Sequence, residues 1–172
     1  MVHMELMRDK AREFPQIDRP AAYTSARIWH CSYRTLAPLS RFTGLRTLEI
    51  ATYPDATLDH LAGLTALEEL RVVHLPHVAD LAPLARLASL RHLTLATLPS
   101  WDSSGKVTEV HSLAPLALLP KLETVHLFGV RPPDRQVDDL LAIASLRRAR
   151  ISKYPKKEIE RLSSALASRA DE

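Results

Sequence analysis

A chain of 172 residues is long enough for one domain with a sizeable core, and 46% hydrophobic with 25% charged residues is the composition of a soluble folded protein. A net charge of +3 is too small to argue for nucleic acid by itself, and 5% aromatic residues leave leucine and alanine to fill the interior. The single cysteine, Cys31, excludes an internal disulfide, and no apolar run approaches the roughly 18 residues of a membrane span.

Residues 1–13, MVHMELMRDKARE, are expected to form an N-terminal cap, with Met4 and Met7 at helical spacing. Glu5, Arg8, Asp9 and Lys10 fall where a signal peptide needs an apolar run. With one lone thiol besides, the expected location is the cytoplasm.

From Phe14 the chain repeats itself. A degenerate first copy, FPQIDRPAAYTSARIWHCS, is followed by LAPLSRFTGLRTLEIATYP from Leu36 and LDHLAGLTALEELRVVHLP from Leu58. LAPLARLASLRHLTLATLP begins at Leu81, LAPLALLPKLETVHLFGVR at Leu113 and VDDLLAIASLRRARISKYP at Val137. Leucine returns every third residue through most of a copy, then every second at its end. A period of two places Leu93 and Leu95 on the inner side of a short strand. A period of three suits a 3₁₀ turn carrying Leu81, Leu84 and Leu87 back along the other side. Pro38, Pro83 and Pro115 fall early in that segment, where a missing N–H does least harm. One copy cannot bury its own apolar side, so the copies must stack, giving a parallel sheet and one continuous leucine core.

The closing L-x-x-L-x-L of each copy resembles the strand signature of leucine-rich repeats, and the LAPL openings resemble the short repeats of the internalin-like bacterial subfamily. The resemblance covers residues 14–155. It implies an α/β solenoid of about six turns with a short-stranded parallel concave sheet, an irregular helical or 3₁₀ convex side, and binding at the concave face. It also implies an asparagine three residues after the last strand leucine, where this chain has Cys31, Tyr53, Leu75, Leu98, Val130 and Tyr154. Cysteine is an accepted variant there, so Cys31 is expected as a packed core thiol. Proline follows at Pro54, Pro76, Pro99 and Pro155, removing a backbone donor that asparagine would otherwise help satisfy. Residues 156–172 close the stack as a C-terminal capping helix, with Ile159, Leu162 and Leu166 on one face.

The register assigns side chains to concave ladders. Arg46, Glu68, Arg91, Glu123 and Arg147 alternate in sign, which favours pairing between adjacent turns. The central position reads Arg27, Glu49, Arg71, Thr94, His126, Arg150, whose first three members are suited to a second internal ladder. The position after the last strand leucine reads Trp29, Ala51, Val73, Ala96, Phe128, Ser152. Large apolar residues at Trp29 and Phe128, rimmed by charge, either mark a protein-binding surface or fold under neighbouring loops at irregular end turns.

The turn from Ala96 to Ser112 is about ten residues longer than its neighbours, and its Trp101 is either an anchor for recognition or a ring tucked into the core edge. FGVRPPDRQ, residues 128–136, is a smaller proline-stiffened excursion. Partner-binding candidates are therefore Trp29, Glu49, Arg71, Val73, His92, Trp101, His126 and Phe128. A basic patch of Arg147, Arg148, Arg150, Lys153, Lys156, Lys157 and Arg161 is an alternative seat for nucleic acid or phosphate. The histidines, including His74 and His77, lack the three or four convergent ligands of a zinc site. No glycine-rich phosphate loop, H-E-x-x-H or G-x-S-x-G motif is present, so the expectation is a protein with no catalytic, metal or cofactor site that binds a protein partner and no membrane.

Overall fold

The computed structural model describes residues 1–172. In chain order the strands and helices are β1 (His3–Met7), β2 (Ser25–Trp29), β3 (Thr47–Ala51), β4 (Glu69–Val73), β5 (His92–Ala96), α1 (Pro99–Ser104), β6 (Thr108–Glu109), β7 (Thr124–Phe128), β8 (Val130–Arg131), α2 (Asp138–Leu141), β9 (Arg148–Ser152) and α3 (Lys156–Ala170). Seven strands form one all-parallel sheet in the order β1-β2-β3-β4-β5-β7-β9, and β6 pairs with β8 alongside it. Each of the six sequence copies supplies one strand of the large sheet, and β1 adds a seventh.

The convex side is made of 3₁₀ segments at Ala37–Arg41, Asp59–Leu61, Ala82–Arg86 and Ala114–Leu118, with the one-turn α2 in the corresponding place of the last copy. Each segment is seeded by the residue before the first leucine of its copy. The side chains of Thr35, Thr57, Asp80 and Ser112 accept the backbone N–H two residues on, in Ala37, Asp59, Ala82 and Ala114. The leucines at period three then face inward: Leu36, Leu39, Leu58, Leu61, Leu81, Leu84, Leu113 and Leu116 are all buried. They meet the strand leucines in a single cluster of 41 buried residues that runs the length of the stack.

The N-terminal segment differs from expectation. His3–Met7 is a strand and no helix forms there, because Met4 and Leu6 rather than Met4 and Met7 turn toward the core. Met7 is 48% exposed, so period two, not helical spacing, buries this segment. The capping helix also turns differently from the expected face: Leu162 and Leu166 are buried, but Ile159 is 36% exposed and Glu158 takes a buried place. Glu158 accepts the N–H of Val137 at 3.1 Å, and the Arg169 guanidinium donates to the carbonyls of Leu141, Ile143 and Leu146.

Every strand of the large sheet ends in the same way. The residue after each strand but the last donates its N–H to the end of the next strand, Gly129 doing so to the Ser152 hydroxyl, and in most turns it adopts a left-handed conformation: Arg8, His30, Thr52, His74, Gly129 and Lys153 all have positive φ. The exception is Thr97, where the chain leaves the repeat to build α1 and the long loop.

Candidate functional site

The strand register reproduces the central column and the one after the last leucine, with Glu5 added at the N-terminal end of the central one, and backbone bonds link Arg46, Glu68, Arg91, Glu123 and Arg147 in turn just before the strands. Three zones follow from what each side chain touches.

At the β2 end, Trp29 is half-buried by cations. The guanidinium carbons of Arg27 and Arg71 lie 4.4 and 5.5 Å from its ring centroid. Arg27 also sits between two carboxylates, 3.5 Å from Glu5 and 3.5 Å from Glu49. Glu49 is thereby engaged, while Arg71 is exposed and has no ion pair. The central ladder thus stops one residue short of the expected three-member run. The ladder just before the strands is likewise made of separate pairs, Arg46–Glu68 at 2.6 Å and Arg91–Glu123 at 2.7 Å. The Arg46 hydrogen bond holds the Glu68 carboxyl below the usual carboxylate range.

Across the middle, the column between Trp29 and Phe128 holds the small apolar side chains of Ala51, Val73 and Ala96, of which Val73 is half-buried and the two alanines are buried. Four strand spacings separate the two rings, about 19 Å, so they bracket a trough rather than touch. Phe128 is 37% exposed and its ring lies 5.6 Å from that of His126. His92 is exposed on β5, and His126 is half-buried with Nδ1 3.5 Å from the Thr94 hydroxyl. Burial holds the His126 imidazole below its ordinary pKa, and Arg150 and His92 push it the same way.

The long loop forms one rim. Trp101 is half-buried, its ring set edge-on to His74 with 5.2 Å between centroids, and Lys106 Nζ lies 5.6 Å from the indole. The His74 imidazole is lowered by burial first, then by His77 and His30. Next to Trp101, α1 is also held by Lys153, whose Nζ donates to the Asp102 carbonyl at 3.2 Å. The consecutive residues Trp101 and Asp102 therefore tie α1 to the residues that follow β4 and β9.

The basic residues do not act as one patch. Lys153, Lys156 and Arg161 are engaged with Asp102, Glu160, and Asp138 with Glu158, respectively. Arg147, Arg148, Arg150 and Lys157 have no carboxylate within ion-pair distance, and only Lys157 stands apart from a cleft. The three arginines line a cleft of about 620 Å³ between β9 and α3, together with His126 and the hydroxyls of Thr124 and Ser163. A second, more apolar cleft of about 320 Å³ adjoins it, walled by Phe128, Ile151, Ile159 and Leu162. Sequence reasoning missed this compartment, because its walls come from three elements and depend on how α3 is rotated.

Cys31 is buried, its thiol 3.4 Å from the Leu6 carbonyl. No group of three or more His, Cys, Asp and Glu side chains is placed to hold a metal ion, and no helix is long and apolar enough to cross a membrane.

No family model matches the sequence, and no curated protein does. Among solved structures, internalin C2 from Listeria monocytogenes superposes with a TM-score of 0.64 at 18% identity, over 89% of this chain and 64% of that one. The internalin InlF from the same organism gives a TM-score of 0.51 at 16% identity, over 84% of this chain and 46% of that one. The chain thus spans less than two thirds of the first and less than half of the second. At this identity the likeness establishes the fold, a leucine-rich-repeat solenoid of the internalin type.

Proposed function

We propose that the chain is a non-enzymatic protein-binding module that docks a partner across its concave sheet, with residues 96–112 as one wall of the site. The observation behind this reading is the trough itself. Trp29 and Phe128 stand at its ends, the small residues Ala51, Val73 and Ala96 lie between them with Val73 alone partly exposed, and Arg71, His92 and His126 stand beside it. Such a surface binds by shape, because the sheet is ordered by the core beneath it and little entropy is lost on docking. Trp29 and Phe128 are its anchors, of the residue types that dominate interface energetics.

The test is affinity capture from lysate at moderate salt, with the Trp29→Ala/Phe128→Ala double variant as control bait. A discrete protein should be retained by the wild type and lost by the variant. Thermal unfolding of the variant should stay close to wild type, because Phe128 is exposed and Trp29 is only half-buried. Unfolding of the double variant would mean that both rings are structural, and the trough would lose its standing as a site. The second reading, phosphate or nucleic acid at the basic end, keeps Arg147, Arg148 and Arg150 as its cations. Binding of that kind would fall steeply with ionic strength, whereas an anchored interface would not.

A further inference from the structure

The two adjoining clefts at the C-terminal end of the concave face differ in chemistry but share the side chains of Ala149, Arg150 and Ser163. One is cationic. Arg148 and Arg150 project from β9 and Arg147 from just before it; no carboxylate pairs with them, and Arg147 reaches only the Arg169 carbonyl, at 3.3 Å. Three like charges within four residues repel one another, and an anion between them would relieve that cost. The other is apolar, with Phe128 and Ile159 left exposed at its mouth although Ile151 and Leu162 lie just behind. Exposed aliphatic surface beside unpaired arginines is a mismatch that one ligand of mixed character would resolve.

We propose that this end of the concave face is a two-compartment seat for an acidic peptide segment of a partner protein. Aspartate or glutamate side chains meet Arg147, Arg148 and Arg150, and a neighbouring bulky aliphatic residue enters the compartment beside Phe128 and Ile159. The inference rests on the concave-face reading above and supplies the chemistry of the partner.

Two features favour a short acidic peptide over a nucleic acid. Apart from Arg71 on β4, the unpaired arginines of the concave face cluster at one end, while Glu69 is unpaired toward the other and Glu5 and Glu49 share Arg27 there, so a polyanion laid across the strands would run into like charge. The apolar walls are aliphatic apart from Phe128, and so lack the series of aromatic platforms on which successive bases stack.

The experiment is fluorescence anisotropy with the full chain and a labelled peptide of alternating Asp and Glu around one central leucine. Three comparisons accompany it: the same peptide with serine for leucine, an oligothymidylate of equal length, and the Arg148→Glu/Arg150→Glu and Ile159→Ser variants. The double charge reversal should weaken peptide binding about tenfold or more. Ile159→Ser should weaken the leucine peptide and leave the serine peptide unchanged. The His126 imidazole resonance, followed by NMR, should titrate at higher pH once carboxylates occupy the seat.

Failure of the wild type to bind the leucine peptide, or binding that survives the double reversal, would overturn the seat. So would equal affinity for the leucine and serine peptides. Oligothymidylate binding as tightly as the peptide would assign these arginines to nucleic acid instead, and self-association removed by the same reversal would assign them to a second copy of the chain. The two readings separate cleanly. If capture through Trp29 and Phe128 persists in the Arg148→Glu/Arg150→Glu variant while peptide binding is absent from the wild type, the trough stands and the acidic seat falls.

Discussion

Individual side chains here take over work that the repeat pattern assigns elsewhere. At the position where the resemblance implies asparagine, Tyr154 donates its hydroxyl to the Val130 carbonyl of the preceding turn at 2.9 Å, and Tyr53 donates to Thr57 at 2.7 Å. Cys31 approaches the Leu6 carbonyl of the turn before it. Leu75 and Val130 only fill space. So the loops are bonded by larger side chains from within the core, and the prolines that follow are an incomplete account of the missing amide. The leucines themselves carry most of the stability. Leu93 is fully buried between its neighbours, and Leu93→Ala is expected to cost roughly 2–5 kcal/mol, read as a lower urea midpoint with little change in slope. A gentler effect comes from His126. Its native pKa lies below the ordinary value, so between that depressed value and about 6.5 the unfolded chain binds more proton than the native one. Stability should therefore fall as pH drops through this window and level off beneath it. His126→Gln should flatten part of that slope in urea titrations taken from pH 7 to about 5, the remainder belonging to His74, which shifts in the same direction.

Each turn is an element with a beginning, a strand and an exit, and these were unequally legible in the sequence. The change from period three to period two is a strong signal, because it records which side chains must face one core, and it placed every strand from β2 to β9 of the large sheet. The same logic misled at Met4 and Met7, where five residues offer too few repeats to tell one period from another. Pairing was harder still. That Lys153 is held by Asp102, 51 residues earlier, depends on the path of the long loop, and that Arg148 and Arg150 remain free depends on where α3 lies. Neither can be read from spacing. The exits carry a further consequence. Gly129 sits in the left-handed column at φ 72°, and a Cβ added there would come within 2.5 Å of Thr97 Oγ1. Other turns tolerate a side chain at this position, as His30 and His74 do, but this one faces the departing loop. Gly129→Ala should therefore cost about 1–3 kcal/mol in thermal unfolding, and Thr97→Ala should recover part of the loss by opening the space.

At the scale of the whole molecule the stack is a row of turns, each packed on its neighbours, with ends of different kinds. The C-terminal end is closed by α3, through Leu162 and Leu166 in the core, Glu158 on the Val137 amide and Arg169 on three carbonyls of the last turn. In a solenoid the loss of an end propagates only as far as neighbouring turns remain coupled to it. Leu162→Ser with Arg169→Ser removes both the apolar and the polar hold on the cap. Native-state hydrogen exchange should then rise first in α2 and β9, next to the released helix, while β3, β4 and β5 keep their protection. The same variant should lose the acidic-peptide seat, whose walls are shared between β7, β9 and α3, yet retain the trough at Trp29, five strands away from β9. Equal loss of protection from β1 to β9 would instead mean that the turns melt as one cooperative unit, and the cap would then govern the stability of the entire concave face rather than only its C-terminal end.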